Sequence, residues 1–558
     1  MNKLLLFLTF LFCLNSYGQN FYLKINGASQ KENNSIDSLS YNNKHASLQL
    51  LTNEVKLFSE KLSKAGYLES QLIDNKKQND STFSYSYRLG SKIDFIHIYI
   101  GKVKKEDASF LLSSKNDTIV IPFSEVENFL STNLKSFEKN GFSMTRLKLV
   151  NIRKEKKYLK ADLSIELDQK RYINAIVING YDKFPQGFKK NIFRLYRNKT
   201  FSQQSLEKIN KDFSQFLFIK QIKYPEILFT KDSTKIYVYL DKAKSNSFDG
   251  FIGFTNDKNQ KLIFNGYLDL VLNNILNSGE KLSLYWKSDG RDQKTFNLGI
   301  ELPYIFKSSI GLKAQLNIFK QDSLFQNTRT NIDLGYYFNY NNRLYLGYQS
   351  TESSDIQNTN TSILNDYTNN FYTVNYEFFN FNNEASQNNL LFKDKTILSV
   401  KIGTGKRNSK FETNSQFFAN LKINHNIYLN NKNILNVKSQ NYYLQSNAYI
   451  INELYRFGGI NSIRGFNETS LQGNIFNSIL TEYRYVLSTS IYIHSIIDYG
   501  YFQDKTSNEE NNLLGFGFGF GLLTKNGLLN LIYANGSTND QTVKLSNSIV
   551  HISFKALF

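Results

Sequence analysis

Hydrophobic and polar residues alternate along most of the second half of the chain, from about Ser245 onward. A period of two is the period of a β-strand, in which successive side chains point to opposite faces. In residues 309–318, one face carries Ile310, Leu312, Ala314, Leu316 and Ile318, and the other carries Gly311, Lys313, Gln315 and Asn317. This pattern predicts strands with one apolar and one polar face, as in a transmembrane β-barrel.

The positions of the prolines support a closed barrel. All four, Pro122, Pro185, Pro225 and Pro303, precede residue 304, so every later residue can donate a backbone hydrogen bond. A barrel in lipid requires this because no water reaches its backbone polar groups. Dividing the roughly 314 residues of 244–558 by about 20 per strand and connection predicts close to sixteen antiparallel strands. We expect the asparagine-rich stretch 351–365 to be an external loop.

Two further segments alternate without a break. Residues 515–521 alternate glycine with Phe516, Phe518 and Phe520, which we expect on the lipid face with the glycines inside. The glycine spacing loosely matches a phosphate-binding loop, but a perfect period of two indicates a strand rather than a nucleotide site. The chain ends in residues 548–558, which place Phe554 and the terminal Phe558 on one face.

The amino terminus has the pattern of a secretory signal peptide at residues 1–18. Lys3 precedes an apolar run from Leu4 to Leu14, and small residues follow before Gln19. The single cysteine, Cys13, follows the bulky Phe12, which is unlike a lipid-attachment site. The mature chain is therefore expected to leave the cytoplasm and to form neither disulfides nor thiolate metal sites. Aromatic residues make up 15% of the chain, which fits the aromatic girdles of a membrane barrel.

Before the barrel, the chain resolves into α/β units, most clearly at residues 170–243. A strand at 172–180 leads to a short helix and then to a second helix, and two strands near 219–222 and 235–240 close the unit. The second helix carries one apolar stripe, formed by Leu206, Ile209, Phe213 and Phe216. The predicted order is β-α-α-β-β.

Residues 92–169 and 19–91 repeat this organisation. In the former, a helix is expected to begin at the capping box Ser124-x-x-Glu127 and to end at Gly141, with a core stripe of Val126, Phe129, Leu130, Leu134 and Phe137. In the latter, the stripe consists of Leu48, Leu51, Val55, Phe58 and Leu62, and Gly66 ends the helix. The stripes predict domain cores, so any binding is expected at exposed strand edges.

The stretch 457–466 interrupts the barrel alternation with a glycine-flanked arginine, Arg464. A guanidinium that folds back into a barrel lumen needs a carboxylate partner. Period-two spacing places Glu482 on one face with Arg484, and it places Asp498 on one face with His494. The spacing therefore offers two candidate partners for the Arg464 guanidinium, Asp498 and Glu482. For His494 we expect hydrogen bonding in the lumen.

The motif Ile463-Arg464-Gly465-Phe466 resembles the BamA/TamA superfamily of outer-membrane assembly and translocation barrels. Asp498 takes the place of the family's acidic residue in an aromatic-x-Asp-x-Gly element, although Ile496 stands where the family usually has phenylalanine. The resemblance implies a sixteen-stranded barrel behind periplasmic POTRA domains, which have the β-α-α-β-β order. It also implies that the loop tip enters the barrel, and that Phe554 and Phe558 belong to the terminal signal by which such barrels are inserted.

The function implied by the resemblance is insertion or export of client proteins by strand templating at the seam between the first and last barrel strands, in the outer membrane of a Gram-negative bacterium. The alternative is a two-partner secretion pore for one exoprotein, although such pores usually carry two POTRA units and a plug helix. A passive porin explains neither the loop nor the repeats. Three units resemble TamA more than BamA, which usually has five.

Other function classes find little support in the sequence. The five histidines have no metal spacing, and there is no GxSxG or HExxH motif, so we expect neither an enzyme nor a cofactor. The first 250 residues carry a net charge of +15 and the remainder +4. The excess in the first half is compatible with anionic lipid headgroups, with acidic client segments and equally with an ordinary solvated surface. The expected partners of the protein are client proteins, outer-membrane lipid and a periplasmic or inner-membrane subunit, and no nucleic acid.

Overall fold

The computed structural model describes residues 20–101, 117–256, 262–288, 293–381, 392, 394–539 and 548–558. The predicted signal peptide, residues 1–18, lies outside these residues. Two compact units form: one contains the chain up to Tyr172 with Thr200–Gln204, and the other contains Ile173–Lys199 with Ser205–Phe558. None of the helices in the described ranges is both long enough and apolar enough to span a bilayer.

The first α/β group is a four-stranded sheet with two helices. Its elements are β1 (Phe21–Gly27), α1 (Gln30–Asp37), β2 (Lys44–His45), α2 (Leu48–Lys64), β3 (Gln71–Lys77) and β4 (Thr82–Arg88). The sheet order is β2-β1-β4-β3. Leu51, Val55, Phe58 and Leu62 of α2 are buried, whereas Leu48 is exposed. Leu48 was wrongly placed in the stripe because it is the first residue of the helix and lies at the edge of the core.

The second group has the elements β5 (Phe95–Tyr99), β6 (Thr118–Pro122), α3 (Val126–Lys139), β7 (Arg146–Glu155) and β8 (Tyr158–Glu166), in the sheet order β6-β5-β8-β7. The capping box at Ser124 does not form. Ser124 lies in a 3-10 turn before α3, and the capping residue is Glu125, which has helical backbone angles and makes no side-chain cap. Leu134 is exposed, and Asn133 is buried in its place with a hydrogen bond to the Phe129 carbonyl.

The third group has the predicted β-α-α-β-β order. Its elements are β9 (Ile173–Asn179), α4 (Gln186–Tyr196), α5 (Gln203–Ser214), β10 (Ile219–Phe229) and β11 (Thr234–Lys242). The sheet order is β10-β11-β9, so β10 is an edge strand. Pro225 lies in β10 within its second shift of register, between Lys223 and Glu226, and an edge strand tolerates proline because its outer N–H groups need no sheet partner.

Sixteen antiparallel strands then close into a barrel, as predicted. They are β12 (Ser247–Asn256), β13 (Leu262–Asn273), β14 (Lys281–Ser288), β15 (Gln293–Leu302), β16 (Ile310–Gln321), β17 (Phe325–Asn339), β18 (Asn342–Asp355), β19 (Tyr367–Phe381), β20 (Asp394–Ser409), β21 (Thr413–Tyr428), β22 (Asn433–Gln445), β25 (Ile475–Val486), β26 (Ile491–Asp504), β27 (Glu509–Leu523), β28 (Gly527–Thr538) and β29 (Ile549–Leu557). The hairpin β23 (Tyr455–Phe457) and β24 (Leu471–Gly473) lies outside this sheet. The expected loop 351–365 is shorter, because β18 continues to Asp355.

The two faces of the barrel strands differ as the alternation predicts. Large apolar side chains such as Leu346, Tyr372, Ile497, Phe518 and Ile552 are exposed on the outside. Polar side chains, many of them buried, face the interior. An exterior of this kind requires apolar surroundings, because a contiguous apolar belt is unfavourable in water.

The third group packs against the barrel rim at which β12 begins, which we call the entry rim. Phe188 of α4 is buried, and its ring packs against the rings of Tyr304 and Tyr340, which belong to two turns of that rim. The Asn191 side chain donates to the Ser308 carbonyl over 2.7 Å, and the backbone N–H of Phe381 donates to Gln215 over 2.9 Å. Because buried amides and aromatic rings both contribute, this interface has a defined geometry.

Candidate functional site in the lumen and at the seam

The long connection between β22 and β25, residues 446–474, folds into the barrel interior, and we call it the lumenal loop. It begins with a 3-10 turn, Ile451–Glu453, continues through the hairpin of β23 and β24, and reaches its tip between them. Gly458, Gly459 and Gly465 have φ values of 104°, 98° and 86°. These left-handed conformations favour glycine and explain the glycine-rich sequence of the tip.

Arg464 lies at this tip and is 2% exposed. Its Nε donates to Asp498 over 2.7 Å, its backbone N–H donates to the same carboxylate over 3.0 Å, and its Nη2 also reaches Asp498. Its Nη1 donates to Glu482, the expected alternative partner. One guanidinium thus bridges the carboxylates of β25 and β26, and Asp498 itself is fully buried.

Glu482 is the centre of a wider charge network. It also accepts a hydrogen bond from Arg484 Nε over 2.8 Å, and Lys438 Nζ lies 4.0 Å from it. Three cations therefore share two carboxylates at this point of the lumen. The alternation of β25 made the pairing of Glu482 with Arg484 visible in the sequence, but nothing in the sequence indicated Lys438.

Two inward glycines leave the space that the loop tip occupies. A Cβ atom at Gly515 of β27 would lie 2.3 Å from the Arg464 carbonyl oxygen, and one at Gly536 of β28 would lie 2.6 Å from the Gly465 carbonyl oxygen. Any other residue at these positions would collide with the loop backbone. The sequence predicted inward glycines at 515–521; the loop tip accounts for Gly515, whereas Gly519 and Gly521 leave room for the rings of His494 and Tyr492.

Apolar packing supports the ion pairs. Ile463 is fully buried beside Phe457, Phe476, Leu480 and Phe502, and Phe466 packs against the edge of this cluster. The rings of Phe457 and Phe476 stack with centroids 3.9 Å apart. The motif 463–466 therefore combines one apolar anchor, one charged anchor and one glycine turn.

A second ion pair, absent from the sequence predictions, holds the start of the lumenal loop. Arg407 of β20 is fully buried and donates to Glu453 and Glu412. The Gln416 side chain also donates to Glu453, over 2.7 Å. Neighbouring Asn452 is buried and donates to Ser353 over 2.7 Å. The loop is thus fixed at both its base and its tip.

The other residues singled out from the sequence lie apart from this network. His494 faces the lumen and is buried, but its ring nitrogens have no hydrogen-bond partner among the described residues. The expected lumenal hydrogen bond of His494 does not form in the described residues, because Asp498 lies four residues further along β26 and is bonded to Arg464. Phe554 and Phe558 are exposed on the outer face at the end of the chain.

The seam between β12 and β29 is the weakest joint of the barrel. In their described residues, the two strands pair only at Ser247 with Leu557 and Phe248 with Ala556, and backbone bonds between Asn246 and Phe558 extend this by one step. Every other neighbouring pair of barrel strands shares at least eight paired residues. Most of the β12 and β29 edges facing each other are therefore open.

Solved structures of CdiB match this architecture. CdiB from Acinetobacter baumannii gives a TM-score of 0.51 at 11% identity, over 91% of this chain and 98% of that chain. CdiB from Escherichia coli gives 0.51 at 11% identity, over 91% and 97%. The chain has the CdiB fold.

Because these matches cover 91% of this chain, they include its closed barrel and most of the preceding α/β groups, and the fold that the resemblance implied is confirmed. A BamA structure from Haemophilus ducreyi that lacks POTRA domains 1–3 gives a TM-score of 0.48 at 13% identity, over 83% of this chain and 98% of that chain. No protein-family model and no curated protein matches the chain.

Proposed function

We propose that this protein inserts or exports client proteins at the outer membrane of a Gram-negative bacterium, by pairing client strands with the open edges of β12 and β29. The entry rim and the three α/β groups then face the periplasm, and the apolar exterior faces lipid. The groups act as POTRA domains with the boundaries 19–91, 92–169 and 170–243. Neither a cofactor nor an enzymatic step is needed, because strand pairing itself releases free energy.

The incomplete seam carries this proposal. Beyond Phe248 and Ala556, the facing edges of β12 and β29 expose backbone N–H and C=O groups that no strand satisfies in the described residues. In lipid each unsatisfied group costs several kcal/mol, so an incoming strand that pairs with it is strongly favoured. A client strand that enters at the seam gains the ladder that the barrel itself lacks.

A two-partner secretion pore for one exoprotein is the second candidate. It is supported by the match to CdiB, which covers 98% and 97% of the two CdiB chains. Three α/β groups precede the barrel. Such pores usually carry two groups, so the number of groups favours the first candidate.

A disulfide across the seam tests the proposal. Cysteines at the paired positions Phe248 and Ala556 meet the distance requirement, because Cα atoms opposite each other in an antiparallel ladder are about 4.5–5.5 Å apart. Oxidation should abolish client assembly, and reduction should restore it. The matched control links Leu270 to Leu284 on β13 and β14, a pair that needs no opening. Full activity with the seam verifiably cross-linked would exclude templating at this edge.

Depletion of the protein separates the two candidates. Loss of many outer-membrane barrels from the membrane proteome indicates general assembly, and loss of a few indicates a TamA-like role. If a single secreted protein disappears and the barrels remain, the two-partner pore is correct.

A further inference from the structure

Three lysines of adjacent strands form a line along the inner wall of the barrel: Lys401 on β20, Lys422 on β21 and Lys438 on β22. Lys401 pairs with Asn420, two residues before Lys422, and Lys438 pairs with Asn424, two residues after it. Each lysine is therefore a diagonal neighbour of the next, at a spacing of about 7–8 Å. We call this line the lysine ladder.

Carboxylates compensate the ladder incompletely. In the described residues, Lys401 Nζ donates to the neutral amides of Asn331 and Gln349, over 3.1 and 3.3 Å, and the Asp333 carboxylate attracts it without forming an ion pair. Lys422 makes no ion pair within the described part of the chain and is exposed to the lumenal space. Lys438 shares Glu482 with two arginines. The ladder thus carries excess positive charge, in contrast to Lys313 on the same inner wall, which pairs with Glu377.

A cavity of about 830 Å³ lies between this wall and the lumenal loop. Lys422, Gln440, Arg456 and Ser462 are among its lining residues, and the only carboxylate there, that of Glu468, is bonded to Lys287. Arg456 donates to the neutral Gln472 amide. The buried Ser462 hydroxyl has no partner among the described residues and is a free donor for an anion. Two cations and several amide and hydroxyl donors therefore face the cavity; Lys422 makes no ion pair in the described residues, and the carboxylate that attracts Arg456, that of Asp504, lies behind the Gln472 amide and not in the cavity lining.

We propose that the barrel lumen is an anion-selective passage, in which the lysine ladder and the adjoining cavity bind small inorganic anions such as chloride. Lysine and arginine rings in a narrow pore favour anions, because low-dielectric walls concentrate the field of uncompensated charges. The spacing of the ladder lets an ion pass from one lysine to the next. This activity requires no client and does not depend on the seam.

Planar-bilayer recordings of the purified full-length protein in a potassium chloride gradient test the proposal. The reversal potential of the wild type should show that chloride is more permeant than potassium. Lys422→Gln should lower the chloride to potassium permeability ratio about sevenfold, because one unit charge about 7 Å away across water changes the occupancy of each ion about threefold, in opposite directions for the two ions. The combined Lys401→Gln, Lys422→Gln and Lys438→Gln variant should lose selectivity.

Lys406→Gln is the matched control, because it removes the same charge from an exposed position of β20, the strand that carries Lys401. Its permeability ratio should equal that of the wild type. If the combined variant fails to fold, Lys422→Gln decides alone, since Lys422 makes no ion pair that its loss could break. A cation-selective, unselective or non-conducting wild type would overturn the proposal, as would a ratio that Lys422→Gln leaves unchanged.

Discussion

Replacement of Arg464 by alanine tests the charged anchor of the lumenal loop. The substitution removes the guanidinium but keeps the backbone N–H, so Asp498, which is 0% exposed, retains one donor at 3.0 Å. Glu482 keeps Arg484 and is less affected. The cost therefore arises mainly from one uncompensated buried carboxylate, which typically amounts to about 3–5 kcal/mol.

The assay is the midpoint of heat-induced unfolding of the barrel in detergent, followed by the electrophoretic shift between folded and unfolded forms. A loss of this size should lower the midpoint by roughly 5–15 °C. Arg464→Lys should fall between the wild type and the alanine variant, because an ammonium keeps the charge but loses the two-pronged contact with Asp498.

Two further variants sharpen the interpretation. The double variant Arg464→Ala with Asp498→Ala should cost about 0.5–3 kcal/mol less than the sum of the single variants, because no buried charge remains unpaired. Arg456, in the same loop, donates to a neutral amide, lies over aromatic rings and makes no ion pair in the described residues, so Arg456→Ala should cost less than Arg464→Ala. An exposed ion pair contributes no more than about 1 kcal/mol, so if Arg464→Ala changes the free energy of unfolding by no more than this amount, the reasoning is wrong. A variant that keeps its heat resistance but loses client assembly would show that the anchor does more than stiffen the barrel.

Three other predictions follow from the described contacts. Deletion of residues 19–91 should impair client assembly less than deletion of 170–243, which packs on the barrel; the reverse ranking in a complementation assay would count against the domain roles. Gly515→Val should displace the loop tip, and trypsin should then cleave after Arg464, whereas the wild type should resist. Burial raises the pKa of Asp212, so this carboxyl binds a proton more readily in the folded protein than in the unfolded chain. The stability of the wild type should therefore fall relative to that of Asp212→Asn as pH rises from about 4 to 7. If the two stability profiles run parallel over this pH range, the prediction is wrong.

The fold could be predicted from the sequence because membrane strands and amphipathic helices show periodic patterns of apolar residues. The face shared by Glu482 and Arg484, and the inward position of Asp498, follow from a period of two alone. The contact of Arg407 with Glu453 could not be predicted, because it joins a strand to an irregular turn that shows no period. Strand β6 was also missed, since its five residues are too few for a clear alternation. Patterns reveal which face a residue occupies, whereas pairing across the lumen depends on the path of a loop.

The contacts of the third α/β group divide the barrel into two mechanically different parts. Tyr181 bonds the turn that joins β13 to β14, and Asn191 bonds the turn that joins β15 to β16. Gln215 bonds both the turn that joins β17 to β18 and the end of β19. These turns belong to the strands that follow β12, while the seam partner β29 lies at the far end of the sheet. If the seam separates, β12 and the strands that follow it remain attached to the third group through these contacts, so a shift of that group would act directly on the β12 side of the seam.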